Sequence, residues 1–144
     1  MASEFNLDRF LKARERDYDI ALAEIKNGRK RSHWMWYIFP QIQGLGFSEM
    51  SRHYAIKNIA EAEAYLHHPA LGKRLIEISK VLVGLKQNDA NSIFGSPDDV
   101  KLKSSMTLFV AVHGADPVFQ SVLDKFFGGE KDGATLQIIA KQDK

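Results

Sequence analysis

Cysteine is absent from the 144 residues, which removes disulfides, a thiolate nucleophile and any cysteine-ligated zinc, and agrees with a reducing compartment. Long apolar runs are missing too. Runs such as Leu108 to Val112 fall far short of the roughly 20 residues that span a bilayer. The opening MASEFNLDRF has neither the basic start nor the apolar stretch of a signal peptide, so we expect a cytoplasmic protein with no membrane attachment. An excess of one charge sign is likewise lacking. Twenty Lys and Arg against eighteen Asp and Glu leave a net charge of +2, with the signs interspersed, so no global field calls for nucleic acid or a membrane surface.

What is present is globular. Apolar residues make up 44% of the chain and charged ones 26%, with nine phenylalanines, and a chain of this length buries about 70% of its unfolded surface. No repeat and no Ser/Gly/Pro-rich linker divides it, so residues 1–144 read as one domain.

Helical periodicity dominates. Leu7, Phe10, Leu11, Tyr18, Ala21, Leu22 and Ile25 share one face between Asn6 as an N-cap and Gly28 as a stop. Pro40, Gly44 and Gly46 interrupt the next segment, and Ser48 offers an N-cap for a helix running through Met50, Tyr54 and Ile56. Asn58 and Glu61 have capping-box spacing. A helix opening at Pro69 buries Leu71, Leu75, Ile76, Ile78, Val81, Leu82 and Leu85, and this one we expect at the centre of the core. Ser96-Pro-Asp-Asp99 starts a helix reaching about His113, and Asp116-Pro117 starts another that ends at Gly128 and Gly129. Leu108, Phe109, Val122 and Phe126 should pack together where this pair folds back. A last short helix holds Leu136, Ile138 and Ile139. No stretch alternates as a strand does. The expectation is an all-α single compact domain of six or seven helices in orthogonal and antiparallel packing.

Chemistry concentrates between Lys30 and Ile56, where both tryptophans, two of the five histidines, a Pro-Gln and a Gly-Leu-Gly-Phe-Ser loop occur together. His33 follows the basic run Arg29-Lys-Arg31, which favours a neutral ring able to accept a proton, as a general base must. The alternative is a histidine that caps a turn. Trp34 and Trp36 cannot point the same way, so at most one is a platform for stacking a ligand ring, and the other anchors the core. Gln41, Gly44, Gly46, Ser48 and Ser51 lead from a permissive glycine loop into a helix start, where free N–H groups suit a phosphate or carboxylate. A plain interhelical loop fits the same residues. Neither a Walker motif nor a dinucleotide fingerprint is present.

A second polar set lies farther on. Asp98 and Asp99 read as helix-start acids, Lys101 and Lys103 as added positive charge, and Ser104, Ser105 and Thr107 as small polar residues on an otherwise apolar helix. Such a strip lets a neighbouring helix come close or lines a pocket. His67 and His68 are adjacent, and no histidine or carboxylate spacing matches a zinc site; we expect no metal and no cofactor.

The blocks Ser32-His-Trp-Met-Trp-Tyr-Ile-Phe-Pro-Gln41, Gly44-Leu-Gly46, Ser48, Ser51, Tyr54-Ala-Ile56, His68-Pro69, Leu71-Gly72, Ile93-Phe-Gly95, Pro97-Asp-Asp99, Lys101-Leu102 and Ser104-Ser-Met-Thr-Leu-Phe109 carry a resemblance. The chain resembles, over nearly its whole length, the bacterial and fungal domain of unknown function numbered 1810, whose members are sometimes labelled calpastatin-like. Calpastatin is a long disordered inhibitor, and this composition is not. The resemblance implies an all-helical domain with a ligand site and carries no established activity; it also gives a loose association with neighbours that handle NAD or ADP-ribose.

Three function classes follow, in order. First is a binding protein or enzyme for a small phosphate-bearing, nucleotide-like anionic ligand, with His33 as the catalytic candidate. Lys30, Trp34, Trp36, Gln41, Gly44, Gly46, Ser48, Ser51, Ser104, Ser105 and Thr107 would be its binding residues. Second is a nucleic-acid module built on the interleaved basic and aromatic run, disfavoured by the balanced charge elsewhere. Third is a protein-interaction module using exposed parts of that run, which would leave a contiguous apolar patch on the surface.

Overall fold

A computed structural model describes residues 5–142. Among them every regular element is a helix, and there are nine, two more than the upper expectation, because two are single short turns that periodicity does not register. α1 (Asp8–Lys26) buries Phe10, Arg14, Tyr18, Ala21 and Ile25. Leu7 replaces Asn6 at its N-cap, with no side-chain bond, and Gly28 ends it at φ +76° while donating to the Ile25 carbonyl. α2 (Met35–Ile38) is a single turn held by its buried residues. α3 (Glu49–His53) starts at Ser48 as expected, with the serine hydroxyl accepting from the Ser51 N–H.

That helix stops sooner than its pattern suggests. Ile56 is not helical but forms an isolated parallel bridge with Ile42. The Ile56 N–H donates to the Gln41 carbonyl and the Gln43 N–H to the Ile56 carbonyl, each at 2.8 Å. The extended backbone drops both β-branched side chains into the core, where each is almost wholly buried. Burial decides the conformation here, ahead of local propensity.

α4 (Ile59–His67) opens with the Asn58 side chain accepting from the Glu61 N–H. Glu61 reaches back one residue farther than a capping box does, to the Lys57 N–H at 2.7 Å. α5 (Leu71–Gly84) begins two residues after Pro69, and its first N–H groups go to the imidazole of His68, whose Nδ1 accepts from Ala70 and Leu71. Its stripe is buried at Leu71, Leu75, Ile78 and Leu82 but only half-buried at Ile76, Val81 and Leu85, and it packs against α1, α4 and α8 (Val118–Phe127). The expectation of a central helix holds.

α6 (Ala90–Phe94) is a short turn capped by Asp89. α7 (Asp98–Val110) starts after Pro97 and ends three residues before His113; its second half is buried from Ser104 through Phe109. α8 (Val118–Phe127) is capped by the Asp116 carboxylate, which accepts from the Val118 N–H at 2.8 Å. Leu108, Phe109 and Val122 lie in the core, and Phe126 is half-buried against it. The Phe109 and Phe119 rings stand 5.7 Å apart. α9 (Gly133–Gln142) is fastened to α7 through Asp132. The Asp132 N–H donates to the Thr107 hydroxyl at 2.9 Å, and its carboxylate accepts from the N–H and hydroxyl of Thr135. No helix among the described residues is long and apolar enough to cross a membrane.

Candidate functional site

The aromatic run is placed by a carboxylate that sequence reading passed over. Glu24, in the last turn of α1, accepts from the N–H groups of Arg31 and Ser32, from the Ser32 hydroxyl, and from the Trp34 indole at 2.9 Å. Burial works to raise its pKa, but the Ser32 hydroxyl, the two backbone N–H groups and the indole outweigh that and lower it from 4.5 to about 2. Trp34 is therefore a core residue, 1% exposed, with its polar edge satisfied and no face open to a ligand. Tyr37, 6% exposed, donates to Asp17. Its hydroxyl pKa is pushed up by burial and by that carboxylate.

Trp36 is the half-buried indole, and the Lys101 ammonium lies 5.4 Å from its ring centre. The two tryptophans do diverge. Lys30 is turned inward, its side chain 9% exposed, paired with Asp98 at 2.9 Å, donating to the Ser32 carbonyl and lying 5.0 Å from the Trp34 ring. His33 is exposed. Among the described residues its ring has no carboxylate to orient it, and it lines none of the clefts described here. Of the aromatic run from Trp34 to Tyr37, Trp36 alone reaches the surface in part.

The glycine loop and the α7 strip meet. Gln41, Gly46 and Ser51 from one segment, and Lys101 and Ser104 from α7, line one cleft of about 270 Å³ that Leu45, Pro97, Val100, Asp132 and Ala134 complete. Gly46 lets the loop fold tightly onto the start of α3, since a Cβ there would fall 2.5 Å from the Ser51 Cβ. Gly44 stands outside the cleft at φ +109°, against Ile138. Ser48 donates its hydroxyl to Ser51 at 2.9 Å and caps α3 by accepting the Ser51 N–H at 3.1 Å, and a helix of five residues brings only a small dipole to that end.

On α7 the three small polar residues divide their tasks. Ser104 lines the cleft and donates to the Val100 carbonyl at 3.2 Å. Thr107 donates to the Lys103 carbonyl and holds Asp132. Ser105 is fully buried, with no hydrogen-bond partner for its hydroxyl among the described residues. Lys101 is the cleft's cation, 3.6 Å from Asp98, whose carboxylate it shares with Lys30. Asp132 is its acid, already engaged at the start of α9. No group of three or more histidine, aspartate or glutamate side chains suited to a metal ion occurs among the described residues.

Residues 4–139 match the model of a family described as "Protein of unknown function (DUF1810)". No curated protein matches. Among solved structures, the conserved hypothetical protein Rv1873 from Mycobacterium tuberculosis is similar, with 42% sequence identity and a TM-score of 0.93, covering 96% of this chain and 99% of that one.

Proposed function

The chain belongs to the DUF1810 family, and for this member we propose that the cleft between the Gln41–Ser51 segment and α7 binds a small polar ligand bearing an anionic group. One observation carries the reading. Polar residues from two segments far apart in sequence converge on one cleft: Gln41 and Ser51 with Lys101 and Ser104. A tight loop alone gives no reason for that convergence.

The chemistry supports an anion held by Lys101 and oriented by hydroxyl and amide groups, the small number of fixed polar contacts typical of ligand pockets. Leu45, Pro97, Val100 and Ala134 supply apolar wall. Phe47, next to Gly46, is 78% exposed and adds a ring at the loop for stacking. The volume of about 270 Å³ lies just below the usual range for drug-sized molecules. It suits a phosphosugar or a single ring with its phosphate, and a dinucleotide such as NAD, or ADP-ribose, would enter by one end. Lys30, Trp34 and Thr107 then support the site from behind, and His33 plays no part at the ligand.

The test is an NMR titration of labelled protein with ribose 5-phosphate, AMP, nicotinamide and ADP-ribose. A true ligand shifts the amides of Gly46, Ser51, Lys101 and Ser104 together, and at a hundredfold excess over Kd stabilises the fold by about 2.7 kcal/mol. Ser104→Leu, which fills the cleft, abolishes the response, and Lys101→Met weakens it for the phosphate-bearing probes alone. If none of the four probes moves those amides, or the response survives in Ser104→Leu, the cleft is not a binding site for this class.

A further inference from the structure

We propose that a second, separate cleft, between the start of α1 and the end of α3, is an anion site for a phosphate group. It encloses about 220 Å³ and shares no lining residue with the cleft described above. Every ionisable side chain lining it is basic: Arg9, Arg52, His53 and Lys57.

Its floor is built before any ligand arrives. Arg9, its side chain 10% exposed, is paired with the fully buried Glu61 at 3.0 Å and donates through Nε to the His53 carbonyl and through Nη2 to the Ala55 carbonyl, both at 2.8 Å. These bonds neutralise the carbonyl oxygens that would otherwise repel an anion at the end of α3. A fourth goes to the Asn6 carbonyl, so among the described residues one of the five guanidinium N–H groups is left over.

The walls are placed by the Ile42 and Ile56 bridge. Pairing these two residues sets Gln43 and Lys57, the next residue on each side, at the same cleft. Arg52 and Lys57 are exposed and make no ion pair or side-chain hydrogen bond among the described residues, so beyond the neutral Arg9–Glu61 pair the cleft carries two unspent positive charges. A phosphate dianion matches that count and that volume. Gln43 adds an amide donor, and the spare Arg9 N–H adds a rigid one; guanidinium and ammonium groups together are the usual partners of phosphate oxygens.

The experiment is an NMR titration at fixed ionic strength with pyrophosphate, with ADP, and with sulfate as a monitor of general anion attraction. Vesicles containing phosphatidylglycerol form a separate sedimentation arm. The amides of Gln43, Arg52, His53 and Lys57 should move with pyrophosphate or ADP at lower concentration than with sulfate. In the Arg52→Gln, Lys57→Gln double variant the dissociation constant should rise at least tenfold. Both residues are exposed, so the variant should fold as the parent does, and Ser104→Leu should leave this response unchanged. A larger response to ADP than to pyrophosphate assigns the phosphate to a nucleotide, and the reverse assigns it to a free diphosphate. Equal response to sulfate, an unaltered constant in the double variant, or vesicle binding with no response to soluble phosphates would each overturn the proposal.

Discussion

Gly72 and Gly84 lie in the same helix, and replacing each by alanine should have opposite effects. Alanine ordinarily stabilises a helix interior by about 0.8 to 1 kcal/mol relative to glycine. At Gly84 nothing lies within 4 Å of the added Cβ, so most of that gain should appear, reduced because the position is the last of α5. At Gly72 the Cβ would fall 1.9 Å from the Leu66 carbonyl oxygen and 2.6 Å from its carbon. Both atoms are backbone, and the corner joining α4 to α5 is clamped by the His68 imidazole and by the bond from the Gly72 N–H to the His68 carbonyl. Relief to ordinary van der Waals contact at 3.4 Å or more requires the two helices to part by about 1.5 Å. Forced overpacking of this kind costs about 1 to 3 kcal/mol, more where neither neighbour is a movable side chain. Net of the propensity gain, we expect Gly72→Ala to lose roughly 1 to 3 kcal/mol, lowering Tm by about 2–4 °C per kcal/mol for a domain of this size. Gly84→Ala should gain up to about 0.5 kcal/mol. Urea unfolding followed by circular dichroism reads both. A Gly72→Ala protein as stable as the parent would mean that the α4–α5 corner is not packed as described.

Two further outcomes follow from the interior. Glu24 has its folded pKa depressed to about 2 from 4.5, so its contribution is fully present above pH 4.5 and is lost as pH falls toward 2. The stability gap between the parent and Glu24→Gln should be constant above about pH 5 and shrink between pH 4.5 and 2, as read by urea melts with Trp34 fluorescence, and a gap independent of pH would refute the role given to this carboxylate. Phe119→Ala, at a fully buried position against Phe109, should lose about 3 to 5 kcal/mol, whereas half-buried Phe126→Ala should lose clearly less; equal losses would contradict the packing of α8.

The helices that sequence made legible are those whose apolar faces are long enough to repeat. α1, α5 and α8 show their stripes over three or more turns, so period and burial agree. The missed elements are α2 and α6, four and five residues long, which cannot show a period. The misjudged one is the run from Met50 to Ile56. Its apolar spacing fits a helix, yet Ile56 is needed in an extended bridge to Ile42, a residue whose position depends on Pro40 and the glycine loop. That is tertiary override of local pattern, and nothing within the segment itself announces it. Glu24 was equally hidden: a lone carboxylate on an amphipathic helix looks solvated until the chain returns ten residues later with four donors.

The site was legible by chemical type more than by geometry. Special-purpose residues mark the Lys30–Ile56 stretch, but the tools placed there divide between two jobs. Trp34, Tyr37 and Lys30 close the core against Glu24, Asp17 and Asp98, while Gln41, Gly46 and Ser51 face a cleft. Sequence cannot make that division, because an indole that stacks on a ligand and one that seals a core are the same residue in the same context. The α7 strip was readable as three small polar residues, yet only Ser104 reaches the cleft. Helical spacing sets Ser105 on another side, and Thr107 is taken by Asp132. The basic cleft left no local trace at all. Arg9, Arg52 and Lys57 come from three segments, and they meet only because the Ile42 and Ile56 bridge draws the end of α3 back across the start of α1. The same bridge that defeated the helical reading of Ile56 is therefore what gathers unpaired positive charge into one cleft in a chain whose overall charge is nearly balanced.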